Sequence, residues 1–176
     1  LIRGAFDYQG QKCSAASRAF IPRSVWARMG DDFLGATEAL AYGDVTDLSN
    51  YGGAVIDRRA YDRCVAAIER AKSAHVTVAV GGSYDDAQGY FVRPTVLLSD
   101  DPTDEAFTTE YFGPILAVHV FDDDAFTDVL DLVDAGAVYL SAPPGADRRA
   151  RQLEQIDPAL IVVFLFFTAK GAACSQ

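Results

Sequence analysis

Apolar positions along this chain switch between a two-residue and a three-to-four-residue period, which predicts strands interleaved with helices. Residues 1–8 suit the end of a helix stopped at Gln9-Gly10, and residues 17–21 read as a short strand closed by Pro22. Ser24 is placed to cap a helix whose Val25, Trp26, Met29, Phe33 and Leu34 share one face. Residues 43–53, rich in Asp, Ser, Asn and Gly, predict a surface loop. Asp57 then caps a second helix, with Tyr61, Cys64, Val65, Ile68 and Lys72 at helical spacing. Residues 76–80 alternate as a strand that turns at Gly81-Gly82. Residues 90–98 predict another strand, with Pro94 implying an edge or a bulge. Residues 115–121 predict a third good strand, and the acids at 122–124 favour a helix start carrying Phe126, Val129, Leu130 and Val133 inward. Strands alternating with helices imply an α/β fold: an open twisted sheet with flanking helices.

The longest apolar run, residues 159–167, falls well short of the ~20 residues that span a bilayer. Burial of each large apolar side chain is worth about 1.5–3 kcal/mol, so this run is expected to be buried as a strand. A formal net charge of −10 argues against a polyanionic partner, and no nucleic acid is expected. The basic clusters at 58–59 and 148–151 read as solvated helix faces. Three cysteines with no C-x-x-C pair and two histidines make a metal site unexpected. Sparse free thiols suit a reducing compartment, and residues 1–8 have no apolar signal segment, so a cytoplasmic protein without a membrane partner is expected. The chain opens without Met inside an expected helix, as a boundary within a longer protein would.

The chemistry centres on Gly10-Gln11-Lys12-Cys13-Ser14-Ala15, between the first helix and the first strand. Small and polar neighbours leave room beside the Cys13 sulfur, and Lys12 places a cation next to it that favours thiolate. On the residues alone, Cys13 fits a packing cysteine as well as a nucleophile, since free cysteine is among the most buried residue types. Cys64 falls on an apolar helical stripe and reads as packing, Cys174 as incidental, and His119 as a structural strand residue.

Phe6 with residues 10–15 and Ser17-Arg18 resembles the cysteine signature of the aldehyde dehydrogenase superfamily. Further on, Gly81-Gly82 and Gly89-Tyr90-Phe91-Val92-Arg93-Pro94-Thr95 resemble its Gly-Gly … Gly-Tyr-Phe-x-x-Pro-Thr stretch. Glu110-Tyr111-Phe112-Gly113-Pro114-Ile115 resembles its Glu-x-Phe-Gly-Pro element. The Lys-Cys-Ser-Ala form, with Tyr-Gly-Gly-Ala-Val-Ile-Asp at 51–57, is most similar to the 1-pyrroline-5-carboxylate dehydrogenase branch, which oxidises L-glutamate γ-semialdehyde in proline degradation.

The resemblance implies an incomplete aldehyde dehydrogenase catalytic domain over residues 1–139 and NAD as cofactor. It also implies a small aldehyde substrate, and a homo-oligomer for the full-length protein. By the same resemblance Cys13 is the nucleophile, Glu110 binds the nicotinamide ribose and Phe112 lies beside the nicotinamide. Lys12 and Ser14 lie near the polar end of the substrate. Without the motifs, Glu110 reads as a surface acid before a strand, Phe112-Gly113-Pro114 as a turn and Lys12 as a solvated charge. The family's nucleotide-binding domain, water-activating glutamate and oxyanion-hole asparagine have no counterpart here, so the chain alone is expected to bind NAD poorly and to be inactive. Residues 140–176 match nothing in the family, as a frame change or a truncated gene would produce. Two other readings stand: an inactive remnant serving structure or subunit association, and a stand-alone thiol protein using Cys13.

Overall fold

A computed structural model describes residues 1–135 and the backbone of 163–166; side chains are described through residue 132. A five-stranded sheet has the order β2-β5-β6-β1-β7, where β1 is Ala16–Pro22, β2 Thr77–Val80, β5 Thr95–Leu98, β6 Ile115–Phe121 and β7 Val163–Phe166. β1, β6 and β5 run parallel, and β2 and β7 flank them antiparallel. β3 (Tyr84–Asp85) and β4 (Phe91–Val92) form a separate two-stranded ribbon.

The two-residue period of the central strands sorts their side chains onto two covered faces. Phe20, Leu97, Ile115, Ala117 and Phe121 pack under α3 (Arg58–Ser73), α4 (Glu105–Thr108) and α5 (Phe126–Ala135). Ala19, Ile21, Val96, Leu116 and Val118 pack against α1 (Ile2–Phe6) and α2 (Arg23–Glu38). Asp57 caps α3 as expected, its carboxylate accepting from Ala60 N–H at 2.8 Å. Ala60, Tyr61, Cys64, Ala67, Ile68 and Ala71 form the buried stripe of α3. The α/β class and flanking helices therefore agree with the sequence pattern.

Several boundaries differ, each for a physical reason. The first helix ends at Phe6, because Tyr8 and Gln9 turn into the left-handed region at φ 52° and 58°. Ser24 does not cap α2: the helix begins at Arg23, and the Ser24 N–H and hydroxyl both bind the Asp123 carboxylate. Likewise Asp122 accepts from Arg23 Nε at 2.8 Å, so these acids hold the start of α2, while α5 begins only at Phe126. The parallel register explains the exchange: Pro22 lies opposite Phe121, so the residues that follow each strand emerge side by side. The run at 90–98 splits at Arg93-Pro94 into β4 and β5, and β5 is an interior strand rather than an edge. Within the apolar run at 159–167, Val163–Phe166 is a strand. Val133 as an inward residue, Cys174 and the rest of residues 140–176 lie outside the described side chains or residues.

Candidate active site

Parallel pairing of β5, β6 and β1 brings three sequence segments to one end of the sheet. The cysteine turn enters β1, Glu110–Pro114 enters β6, and Arg93-Pro94 enters β5, all at the amino ends of neighbouring strands. Thr95 N–H donates to Pro114 O at 2.8 Å, tying two of these entries together. Two glycines tie the others. Gly10, at φ 66°, lies so close to the Gly113 carbonyl that any Cβ there would collide with it. Gly113 in turn sits directly over the Cys64 sulfur, leaving no room for a Cβ of its own. Cys64 is therefore a packing residue, and burial pushes its thiol up to about 11.

The 51–57 segment closes over the same turn. Tyr51 donates to Asp7 at 2.8 Å, Asp7 pairs with Lys12 at 3.7 Å, and Ile56 N–H donates to the Gln11 side chain at 3.0 Å. The Lys12 ammonium also lies 5.6 Å from the Tyr8 ring centroid. Its charge is thus partly balanced by Asp7. Cys13 and Ser14 are exposed at the tip of the turn.

Lys12, Glu110 and Phe112 line one small cleft with Gly10, Ser17 and Gly113. Phe112 adopts φ 48°, an uncommon backbone for a bulky residue, with the residue 38% exposed. Arg63 of α3 holds that turn by donating to Tyr111 O at 2.6 Å. Desolvation raises the Glu110 carboxyl above its ordinary value, opposed by the nearby Arg63 charge. Nothing in the local pattern marks Arg63, because only α3 packing brings it to a turn 48 residues along the chain. The two acids of α4 and its cap, Asp104 and Glu105, bind Arg70, and Tyr111 donates to Glu105 at 3.3 Å, fastening the loop from its other side.

The cleft encloses about 10 Å³, room for about one water. Small-molecule sites usually measure ~300–1,000 Å³, so these residues form one wall of a site rather than a complete one. A wider cleft of about 380 Å³ flanks the same turn, between Asp7–Gln9 and Val45, Asn50 and Tyr51. Open α/β sheets usually bind ligands at the carboxyl ends of their strands. Here that end carries a hollow of about 310 Å³ lined by Arg23, Trp26, His75 and Asp100, with Arg23 already paired to Asp122. Among the described residues no cysteine or glutamate lines it, so the chemistry-bearing residues favour the opposite end. His119 is structural, its Nδ1 3.0 Å from Ser99 O and its ring edge-on to Phe20 and Phe107.

A family model described as aldehyde dehydrogenase family matches residues 1–142. The chain belongs to the aldehyde dehydrogenase family. Among curated relatives, the delta-1-pyrroline-5-carboxylate dehydrogenase of Agaricus bisporus is 42% identical over 139 residues, 78% of this chain and 26% of that protein. The mitochondrial enzyme of Homo sapiens is 39% identical over 140 residues, again 78% of this chain and 25% of its own length. The solved delta-pyrroline-5-carboxylate dehydrogenase from Mycobacterium tuberculosis, bound with NAD and cobalamin, is 70% identical with a TM-score of 0.74, covering 77% of this chain and 25% of that one. A betaine aldehyde dehydrogenase from Staphylococcus aureus in complex with NAD+ matches at 26% identity and a TM-score of 0.67, over 75% of this chain and 27% of its own. This aldehyde dehydrogenase chain spans about a quarter of the length of the relatives it matches. Some of those relatives are named mitochondrial, so the family does not fix a cytoplasmic location. No helix among the described residues is long and apolar enough to cross a membrane.

Proposed function

We propose that this chain is part of the catalytic domain of an NAD-dependent dehydrogenase that oxidises L-glutamate γ-semialdehyde to glutamate in proline degradation. The observation that carries the reading is the meeting of the cysteine turn and the Glu110–Phe112 turn at the amino ends of adjacent parallel strands, locked by the Gly10–Gly113 approach.

Cys13 is the nucleophile. Its exposed sulfur attacks the aldehyde carbon to give a thiohemiacetal, and the Cys13 backbone N–H donates to the developing oxyanion. Lys12 and Ser14 flank the sulfur and suit the carboxylate of an amino-acid semialdehyde. After oxidation, water releases glutamate from the Cys13 thioester.

The residues present fit one end of the cofactor. Glu110 offers a half-buried carboxylate to ribose hydroxyls, and the exposed Phe112 ring offers a flat apolar face to the nicotinamide. NAD, when bound, supplies the hydride acceptor. For the adenosine end the described residues hold no glycine-rich strand–turn–helix, so the isolated chain binds NAD weakly and turns over no substrate. In the full-length protein a homo-oligomer is the expected state.

The supporting relatives are named for this activity, and the solved matches include complexes with NAD. The test is a chimera in which residues 1–135 replace the matching segment of the Mycobacterium tuberculosis relative. NADH formation from the semialdehyde should persist and should vanish in the Cys13→Ala chimera. A folded chimera without activity, or one indifferent to Cys13→Ala, would refute the proposal. Turnover by the isolated chain would refute its expected inactivity.

A further inference from the structure

The cysteine turn leads directly into β1, whose residues 18 and 20 share one face of the sheet and look toward α4. Phe20 meets the Phe107 ring of α4 at 5.6 Å between centroids, and Phe107 stands edge-on to His119 of β6. Arg18 Nη1 donates to the Phe107 carbonyl at 2.7 Å. One strand therefore holds both the side chain and the main chain of Phe107.

Phe107 belongs to a four-residue helix, and the last carbonyls of a helix have no partner within it. A guanidinium is a demanding way to satisfy one of them in so closed a place. Arg18 is 1% exposed, and desolvation pushes it down to about 10, so it remains a cation at neutral pH inside the core. Burying that charge is unfavourable compared with an apolar side chain, whereas a charge-assisted hydrogen bond fixes its acceptor more firmly than a neutral one.

What it fixes lies immediately before the Glu110–Phe112 turn. Thr109 caps α4, and Glu110 follows it. Arg70 holds α4 through Asp104, and Arg63 holds the Tyr111 carbonyl, both from α3. Of these three arginines only Arg18 comes from the strand that Cys13 leads into. The Gly10–Gly113 approach joins the two turns at their tips, and Arg18 joins the segments behind them.

We propose that Arg18 is a positioning residue, which sets where Glu110 and Phe112 stand relative to the Cys13 sulfur by holding the Phe107 carbonyl. The inference rests on the roles proposed above for Cys13, Glu110 and Phe112. Arg18 acts on the cofactor only through the short stretch from Phe107 to Glu110.

The test places Arg18→Met and Arg18→Lys in the chimera and in the full chain. Loss of a charge-assisted bond behind the turn should raise both KM and Kd for NAD about tenfold in the Arg18→Met chimera, with Kd read by calorimetry without substrate. Arg18→Lys restores a cation without the forked donors and should fall between. The KM for the semialdehyde and the alkylation rate of Cys13 by iodoacetamide should stay within about twofold. A purely structural role would lower the amount of active enzyme, and so the apparent kcat, without moving the affinity for NAD. In the full chain the Thr109 amide, bonded to Glu105 O at 2.8 Å, should exchange faster in both variants. If Arg18→Met does not fold, Arg18→Lys is read alone. Unchanged NAD affinity in a folded variant, a parallel change in Cys13 alkylation, unchanged Thr109 exchange, or an Arg18→Lys chain that does not fold overturns the proposal. An unaltered chimera without activity refutes the proposed function instead, and calorimetry and exchange still decide the role of Arg18.

Discussion

Gly10→Ala strikes the contact that joins the cysteine turn to the Glu110–Phe112 turn. Residue 10 sits at φ 66°, and an L residue in this region costs roughly 1–2 kcal/mol. The added methyl would also meet the carbonyl of Gly113 and approach the carbonyl of Ala5. Both are backbone atoms that cannot rotate aside, and overpacking of this kind costs about 1–3 kcal/mol. The expected loss is therefore about 2–5 kcal/mol. At ~2–4 °C per kcal/mol for a chain of this size, the midpoint should fall by about 5–20 °C. Thermal unfolding followed by circular dichroism measures it, with Gly35→Ala as the control. Gly35 lies inside α2, and a methyl added there would meet nothing within 4 Å, so that change should raise stability by about 1 kcal/mol. A Gly10→Ala chain within about 0.5 kcal/mol of the unaltered protein, the usual scatter of surface substitutions, would refute the close approach.

Three further outcomes follow from the same packing. With its thiol pushed up to about 11, Cys64 should be about one part in a thousand thiolate at pH 8, so iodoacetamide should label exposed Cys13 far sooner; comparable rates by peptide mass spectrometry would contradict the burial. The Glu110 carboxyl is raised in the fold, chiefly by desolvation, so its favourable neutral form is fully present below the ordinary 4.5 and is lost as pH rises through the raised value. Glu110→Gln should accordingly leave stability unchanged below pH 4.5 and increase it at pH 7 in urea titrations; a decrease at pH 7 would reverse the sign. Arg70→Ala removes bonds to both Asp104 oxygens, at 3.2 and 2.9 Å, and an ion pair to Glu105 at 3.4 Å. Arg70 and Asp104 are largely shielded while Glu105 is exposed, so the loss should be about 1–3 kcal/mol, carried by the Asp104 bonds, with faster exchange of the Phe107 and Thr109 amides; unchanged exchange would count against α4 being pinned from α3.

Much of this architecture is legible in the chain because it is local. The stripe Tyr61, Cys64 and Ile68 and the cap Asp57 define α3 without any tertiary information. The apolar run at 115–121 likewise predicts the strand β6. What escapes a local pattern is set by register. Ser24 has the composition of a cap, yet parallel pairing of Pro22 with Phe121 delivers Asp123 to it as a stronger partner. Pro94 has the character of an edge signal, whereas it lies one residue before an interior strand, where its missing N–H interrupts no ladder. Cys13, Lys12, Ser14, Glu110 and Phe112 stand out through motifs, and the structure places Lys12, Glu110 and Phe112 on one cleft with Cys13 and Ser14 exposed on the same turn. Arg63 and Arg70 leave no periodic trace, since their partners lie 48 and 34 residues away.

The role of Cys13 is tested most directly by trapping the acyl group it is proposed to carry. The chimera with the Mycobacterium tuberculosis relative is mixed with NAD and L-glutamate γ-semialdehyde, quenched in acid within one turnover, and digested with trypsin. Cleavage after Lys12 and Arg18 isolates Cys13-Ser14-Ala15-Ala16-Ser17-Arg18, which should carry the mass of a glutamyl thioester. Steady NADH production with that peptide unmodified, or with the adduct on another residue, would contradict it.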